Sequence, residues 1–164
     1  MIISDITKKI LWLKFKIISS LGLALCIDQF NLFQFLPLQP NISFLTLFFW
    51  WFFFAHQLSL LLVFMFGLLF DLLSGSVMGE NTLSFIILYG SLSFYREYYG
   101  LNRDFEWGVL WISITAFTIL QIVILSLIYQ RIIFSWGHLG NNLINVLFYP
   151  GLKSLLINWT KEND

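Results

Sequence analysis

The sequence predicts an all-α fold: a polytopic membrane helix bundle of about six transmembrane helices in one domain spanning residues 1–164. Three observations carry this. Hydrophobic residues make up 59% of the chain and charged residues only 11%, whereas a soluble domain carries about 25% charged residues. The apolar residues gather into runs near the roughly 20 residues that cross a bilayer. The basic residues gather between those runs in a way that fits alternating spans. A soluble fold of this size would have too few polar groups to cover its surface, and lipid removes that requirement.

The first helix is expected from about Ile10 to about Gln29. Lys8, Lys9, Lys14 and Lys16 would snorkel from it to the inner headgroups. No small-residue cleavage site clearly follows these spread-out lysines, so the segment reads as a retained helix rather than a cleaved signal peptide. Asn31 to Pro40 breaks the pattern, because Pro37 and Pro40 oppose helix continuation. Asn41 to Leu73 is apolar apart from Ala55, His56 and Gln57. This is long for one span and short for two. A tight hairpin at His56–Gln57 between short or tilted helices is the favoured reading; one long tilted helix would reduce the total to five.

Ser74 to Asn81 reads as a turn, with Gly75 and Gly79 as its breakers. Thr82 to about Tyr95 forms a fourth helix. Arg96 to Glu106 is the most charged segment and is expected as a water-exposed loop. Trp107 to Tyr129 is the cleanest span, Gln130 to Gly140 a loop, and Asn141 to Trp159 the last helix. With six spans and an inner N-terminus, Lys8, Lys9, Lys14, Lys16, Arg96, Arg103, Lys153 and Lys161 fall inside and only Arg131 outside. Five spans would place one basic group on the wrong side. Both termini are therefore expected in the cytoplasm.

The polar residues inside the apolar runs are the candidates for function. Gly67, Asp71, Ser74 and Gly75 share a face at helical spacing. A carboxylate at membrane depth costs roughly 2.5–3.5 kcal/mol on insertion scales, so Asp71 should face protein or a water-filled cavity. It could bind a proton or cation during transport, line a ligand cavity, or cap the break at Ser74–Gly75 and bond a neighbouring helix. The structural reading is favoured, because Asp28 is the one other buried acidic candidate and lies near its helix end. Thr115, Thr118 and Gln121 form a polar stripe, as do Asn142, Asn145 and Tyr149 with Asn141 beside them; Ser84 and Ser91 are seven apart. Interhelical hydrogen bonds, each worth roughly 0.6–2 kcal/mol, are the favoured role for all of these.

No catalytic set emerges. His56 and His138 are isolated, and Ser74 and Ser76 have the wrong glycine spacing for a nucleophile elbow. No phosphate-binding loop or dinucleotide fingerprint occurs. One cysteine, Cys26, permits neither an internal disulfide nor a cysteine metal cage. A net charge of zero offers nothing to nucleic acid. The aromatic content of 20% is expected to serve lipid contact and interfacial anchoring. No enzyme activity, cofactor or metal is expected.

The run Gly67-Leu-Leu-Phe-Asp71-Leu-Leu-Ser74-Gly75-Ser-Val-Met-Gly79 resembles the signature of the MreD family, G-x-x-x-D-L-L-S-G-x-x-x-G at the end of a short helix. Pro40-Asn41 stands where the family has a proline followed by a polar residue. Trp50 stands where an aromatic is frequent, and Pro150 follows Asn145-Val146 inside the last helix. The likeness covers about Pro37 to Trp159. Gln39 departs from the arginine common before the proline. The resemblance implies a non-enzymatic membrane scaffold of the bacterial rod-shape system, in the inner membrane. Its implied partners are MreC, RodA with its partner transpeptidase, and MreB indirectly, with a homodimer also compatible. Gly67, Asp71, Ser74, Gly75, Gly79, Pro40, Asn145 and Pro150 are then the structural or partner-binding candidates. The mixed-charge loop Arg96–Glu106 is a candidate for a cytoplasmic partner.

The resemblance also implies a six-helix fold similar to the substrate-binding subunits of energy-coupling-factor vitamin transporters. The alternative function is therefore a small-molecule-binding subunit, with Asp71, Gln121 and Asn145 lining a cavity. Those subunits often dock their energising partner through A-x-x-x-A on the first helix; here the chain has Ser20-x-x-x-Ala24.

Overall fold

Residues 42–54 read ISFLTLFFWWFFF, apolar on every face, and such a helix belongs at the centre of a bundle. The computed structural model, which describes residues 2–30, 39–100, 103–130 and 137–161, places it there. Among the described residues there are six α-helices, two single turns of 3-10 helix and no strand. They are α1 (Ile2–Gln29), α2 (Ile42–Phe54), α3 (Leu60–Ser74), α4 (Glu80–Tyr99), α5 (Glu106–Tyr129) and α6 (Gly137–Lys161).

Every α2 residue from Ile42 to Phe52 is buried. Its rings reach several neighbours: Phe44 meets Phe117 of α5 at 4.7 Å between centroids, and Phe48 meets Tyr149 of α6 edge-on at 5.6 Å. The indole Nε1 of Trp50 donates to Ser20 Oγ of α1 (2.7 Å), and that of Trp51 to Ser93 Oγ of α4 (3.2 Å). The expectation that the aromatics serve lipid and interface is thus corrected for α2. A buried aromatic supplies apolar area while its polar edge finds a partner.

The break at His56–Gln57 is present. The 3-10 turn Ala55–Gln57 ends α2, the Leu58 N–H donates to the Ala55 carbonyl, and Ser59 Oγ caps α3 by accepting from Leu62 N. One continuous helix from Asn41 to Leu73 is excluded. The two pieces have 13 and 15 residues, so each is about 20 Å long, less than the roughly 30 Å of a hydrocarbon core. Two helices, Lys8–Gln29 and Glu106–Tyr129, are long and apolar enough to cross a membrane.

Helix ends meet in two groups. At one end, Asp28 of α1, Asn41 before α2, Asp71 of α3, Asn81 of α4, Gln121 of α5 and Asn145 of α6 are joined by hydrogen bonds. At the other, Lys16 reaches Trp159, Tyr89 reaches Leu58, and Glu106 meets Tyr149 and Lys153. Successive helices therefore alternate in direction.

Several expected boundaries shift. α1 begins at Ile2, ahead of Ile10. Lys16 is buried and does not snorkel: its Nζ donates to the Trp159 carbonyl at 2.7 Å and the Thr160 carbonyl at 3.4 Å, satisfying the C-terminal end of α6. Arg96 to Tyr99 continue α4, and Glu106 opens α5 as a buried residue, so Arg96–Glu106 is not one exposed loop. Its residues 101–102 lie outside the described residues. α6 starts at Gly137 rather than Asn141. Residues 31–38 of the expected first break, and 131–136 of the loop before α6, are likewise outside the described residues.

A candidate functional site at the α3–α4 junction

α3 ends because Gly75 turns left-handed (φ +63°), a conformation glycine adopts without the Cβ penalty. α4 begins after Gly79, also left-handed at φ +98°, which has no side chain to cap the new helix. An uncapped N-terminus leaves backbone N–H groups without partners. Asp71, one turn back in α3, supplies the missing acceptor across the junction.

Its Oδ2 accepts from Gly79 N (2.9 Å), Thr82 N (3.2 Å) and Thr82 Oγ1 (2.6 Å). Its Oδ1 accepts from Asn81 N (2.9 Å), Asn81 Nδ2 (3.0 Å) and Ser76 Oγ (3.1 Å). A carboxylate has about four lone-pair sites, so six donors leave it saturated. The negative charge also lies at the positive end of the α4 dipole. This offsets the burial of a side chain only 1% exposed.

The other signature positions take separate roles. A Cβ on Gly67 would lie 2.6 Å from the Thr82 Cα, so glycine there sets the close approach of α3 and α4 that brings Asp71 within reach. Ser74 Oγ donates to the Phe70 carbonyl (2.7 Å) and lies 2.9 Å from Ser76 Oγ. Gly67 and Asp71 are buried against α4, whereas Ser74 and Gly75, further along at the end of α3, are exposed. Asn81 extends the network, its Oδ1 accepting from Gln121 Nε2 of α5 at 2.8 Å.

A second cap of this kind was not anticipated from the residues. Asp28 near the end of α1 accepts from Ile42 N (3.0 Å) and Ser43 N (2.8 Å) at the start of α2. Asn41 Oδ1 accepts from Phe44 N (2.8 Å), and the Asn41 N–H donates to Asn145 Oδ1 of α6 (2.7 Å). Pro40 is buried just before this start. Pro150 sits inside α6, exposed, and its missing N–H removes one helical bond there. The signal available in advance was an acidic residue in the last turn of one helix with an asparagine opening the next.

The expected interhelical bonds form in part. Thr118 Oγ1 donates to Asn142 Oδ1 (2.8 Å), and Tyr149 OH to Glu106 Oε1 (2.7 Å), where Lys153 also pairs. Ser84, Ser91 and Thr115 instead donate to carbonyls of their own helices. A serine or threonine hydroxyl meets a carbonyl three or four residues back at no cost in reach.

A cavity of about 350 Å³ opens at the same end of the bundle, lined by residues that include Asp28, Asn41, Gln121, Asn141, Asn142 and Asn145. Of the three residues that the small-molecule alternative would place in a cavity, Gln121 and Asn145 line it and Asp71 does not, its oxygens being bonded to the start of α4. No group of metal-ligating side chains occurs among the described residues. No curated protein and no solved structure matches the chain. Residues 7–158 match the family of the rod shape-determining protein MreD. The match spans nearly the whole chain, including both carboxylate caps, and the chain belongs to the MreD family of rod shape-determining membrane proteins.

Proposed function

We infer that the chain is a non-enzymatic scaffold, spanning the bacterial inner membrane six times with both termini in the cytoplasm, that binds the transmembrane helix of MreC. Through MreC it helps position RodA and its partner transpeptidase, and indirectly MreB, for peptidoglycan synthesis. The observation that carries this reading is the interior's use of its polar groups. Asp71, Asp28, Lys16 and Glu106 all bind other helices of the same chain. Much of the outward helix surface is apolar, including Leu61, Met65, Leu69 and Leu72 on α3 at helical spacing. Such surface suits lipid and a second protein's helix. The charge asymmetry supports the orientation, and alternating helices joined end to end support six crossings.

Gly67 and Asp71 pack on α4 and are closed to a partner, so a crosslinker belongs on the Leu61–Leu72 stripe. Tagged chain purified from native membranes should recover MreC. If it does not, and loss of the chain leaves rod shape unchanged, the scaffold reading fails.

The transporter-subunit alternative has one observation in its favour, the polar cavity, and two against it. Asp71 is absent from the lining. Ser20 and Ala24, which would form the docking stripe for an energising partner, are 5% and 2% exposed, and Ser20 holds Trp50. A likeness of fold to the vitamin-binding subunits is compatible with six helices and does not require their activity.

A further inference from the structure

The lysines of α1 are of two kinds. Lys16 is buried and gives its ammonium to the last carbonyls of α6. Lys8 and Lys14 are exposed, and among the described residues neither is held by an ion pair or a hydrogen bond. They border a groove on the outer side of α1 whose other walls are Leu11, Trp12, Phe15 and Ile18. Leu11, Phe15 and Ile18 recur at the i, i+4, i+7 spacing of one helix face, and they are 71%, 59% and 59% exposed. At 3.6 residues per turn, Lys8 and Lys14 fall about 60° to either side of Leu11. Trp12 stacks on Phe15 with 5.6 Å between ring centroids, so one wall is aromatic.

Side chains on a helix lean toward its N-terminus. Both ammonium groups therefore lean away from the bundle, toward the headgroups, while the apolar stripe runs back into the acyl region. Snorkelling by itself requires no particular lipid. Two uncommitted cations bordering one apolar groove select their neighbour by charge. A second copy packed α1 against α1 in the same orientation would set these lysines against their own copies. A spanning helix of another protein tends to be basic at its cytoplasmic end, by the rule that orients this chain, and would meet like charge too. The complementary charge at this level is the phosphate of anionic lipid in the cytoplasmic leaflet.

We propose that this groove is a selective site for an anionic phospholipid. The phosphate sits between Lys8 and Lys14, and an acyl chain lies along Leu11, Phe15 and Ile18. The choice of occupant rests on the cytoplasmic N-terminus inferred above. Lipid selectivity in a symmetric bilayer does not depend on orientation, and the groove is separate from the α3 surface assigned to MreC. Failure of the lipid site therefore leaves the scaffold reading standing, and the reverse also holds.

Trp12 lines the groove and reports on it. The full chain is placed in phosphatidylcholine nanodiscs doped with brominated phosphatidylglycerol or brominated phosphatidylcholine, since bromine quenches a tryptophan that it touches. The difference between the unaltered chain and Trp12→Phe isolates the Trp12 signal. A lysine near an anionic surface is worth about fivefold in binding. Half-quenching of Trp12 should therefore need at least about fivefold less brominated phosphatidylglycerol than brominated phosphatidylcholine. Lys8→Gln with Lys14→Gln should abolish this preference, leave quenching by phosphatidylcholine in place, and keep the melting temperature, because both side chains are exposed. High salt should shrink the preference in the unaltered chain. Equal quenching by the two lipids, or a preference that survives in the double variant, would overturn the proposal. Trp12 shielded from both lipids would also overturn it and mark the face as a contact between two copies of the chain.

Discussion

Replacing Asp71 by leucine should destabilise the chain severely, and the structure sets the size of the effect. Leucine has a similar reach and no acceptor. It would leave the backbone N–H groups of Gly79, Asn81 and Thr82 without their present partner. Each buried donor left unsatisfied costs about 1–3 kcal/mol, so three cost about 3–9 kcal/mol. Thr82 Oγ1 and Asn81 Nδ2 lose their acceptor as well, though side chains can turn elsewhere. This loss is comparable with a whole domain's stability of about 5–15 kcal/mol. Asp71→Asn keeps one acceptor oxygen, so it should retain roughly half of the capping energy. The assay is thermal unfolding in detergent, followed by tryptophan fluorescence, together with protein level in membranes. The expected order of stability is unaltered chain, then Asn, then Leu, with the leucine variant poorly accumulated. Melting of Asp71→Leu within about 2 °C of the unaltered chain would refute the capping argument. Equal loss of cell shape with Asn and Leu at normal protein levels would instead assign the function to the charge itself.

Four further outcomes follow from the same geometry. Gly67→Ala should cost about 1–3 kcal/mol, because its Cβ would meet the Thr82 backbone, and a shift of α3 from α4 would appear as a lower melting temperature. Gly75→Val should lower stability by about 1–2 kcal/mol while Gly75→Asn costs less, since asparagine tolerates a left-handed backbone; paired melts of the two variants check it. Asp28→Leu should destabilise less than Asp71→Leu, because it strands two backbone donors rather than three, and the same melts rank them. Lys16→Met should loosen α6 from α1, raising hydrogen exchange in the last turn of α6 while leaving the Asp71 junction protected.

Much of this fold is legible in the residues because each break has a local cause. The polar pair His56–Gln57 interrupts an apolar run, and the chain turns there. Gly75 and Gly79 supply left-handed angles, and the α3–α4 junction lies between them. The boundaries that moved did so where amphipathic residues continue a helix past its apolar core. Arg96 to Tyr99 extend α4 although they read as loop by polarity, and α6 starts at Gly137, ahead of Asn141, although two of its first four residues are glycines. The capping partner of Asp71 was only partly legible. The sequence places a carboxylate before a break but does not say that the donors come from the next helix. Asp28 and Lys16 were less legible still, since their partners lie 14 and 143 residues away. The aromatics of α2 illustrate the same limit: composition cannot distinguish a ring facing lipid from one facing α5, and the distinction rests on which helix lies at the centre.

Photo-crosslinking from single positions in native membranes tests the scaffold account most directly. A benzophenone side chain at Leu61, Met65, Leu69 or Leu72 reports what touches the outward face of α3, and one at Ser84, buried inside α4, serves as the interior control. The account predicts MreC adducts from outward positions and none from Ser84. Adducts to lipid alone at every outward position, or to MreC from the interior position, would contradict it.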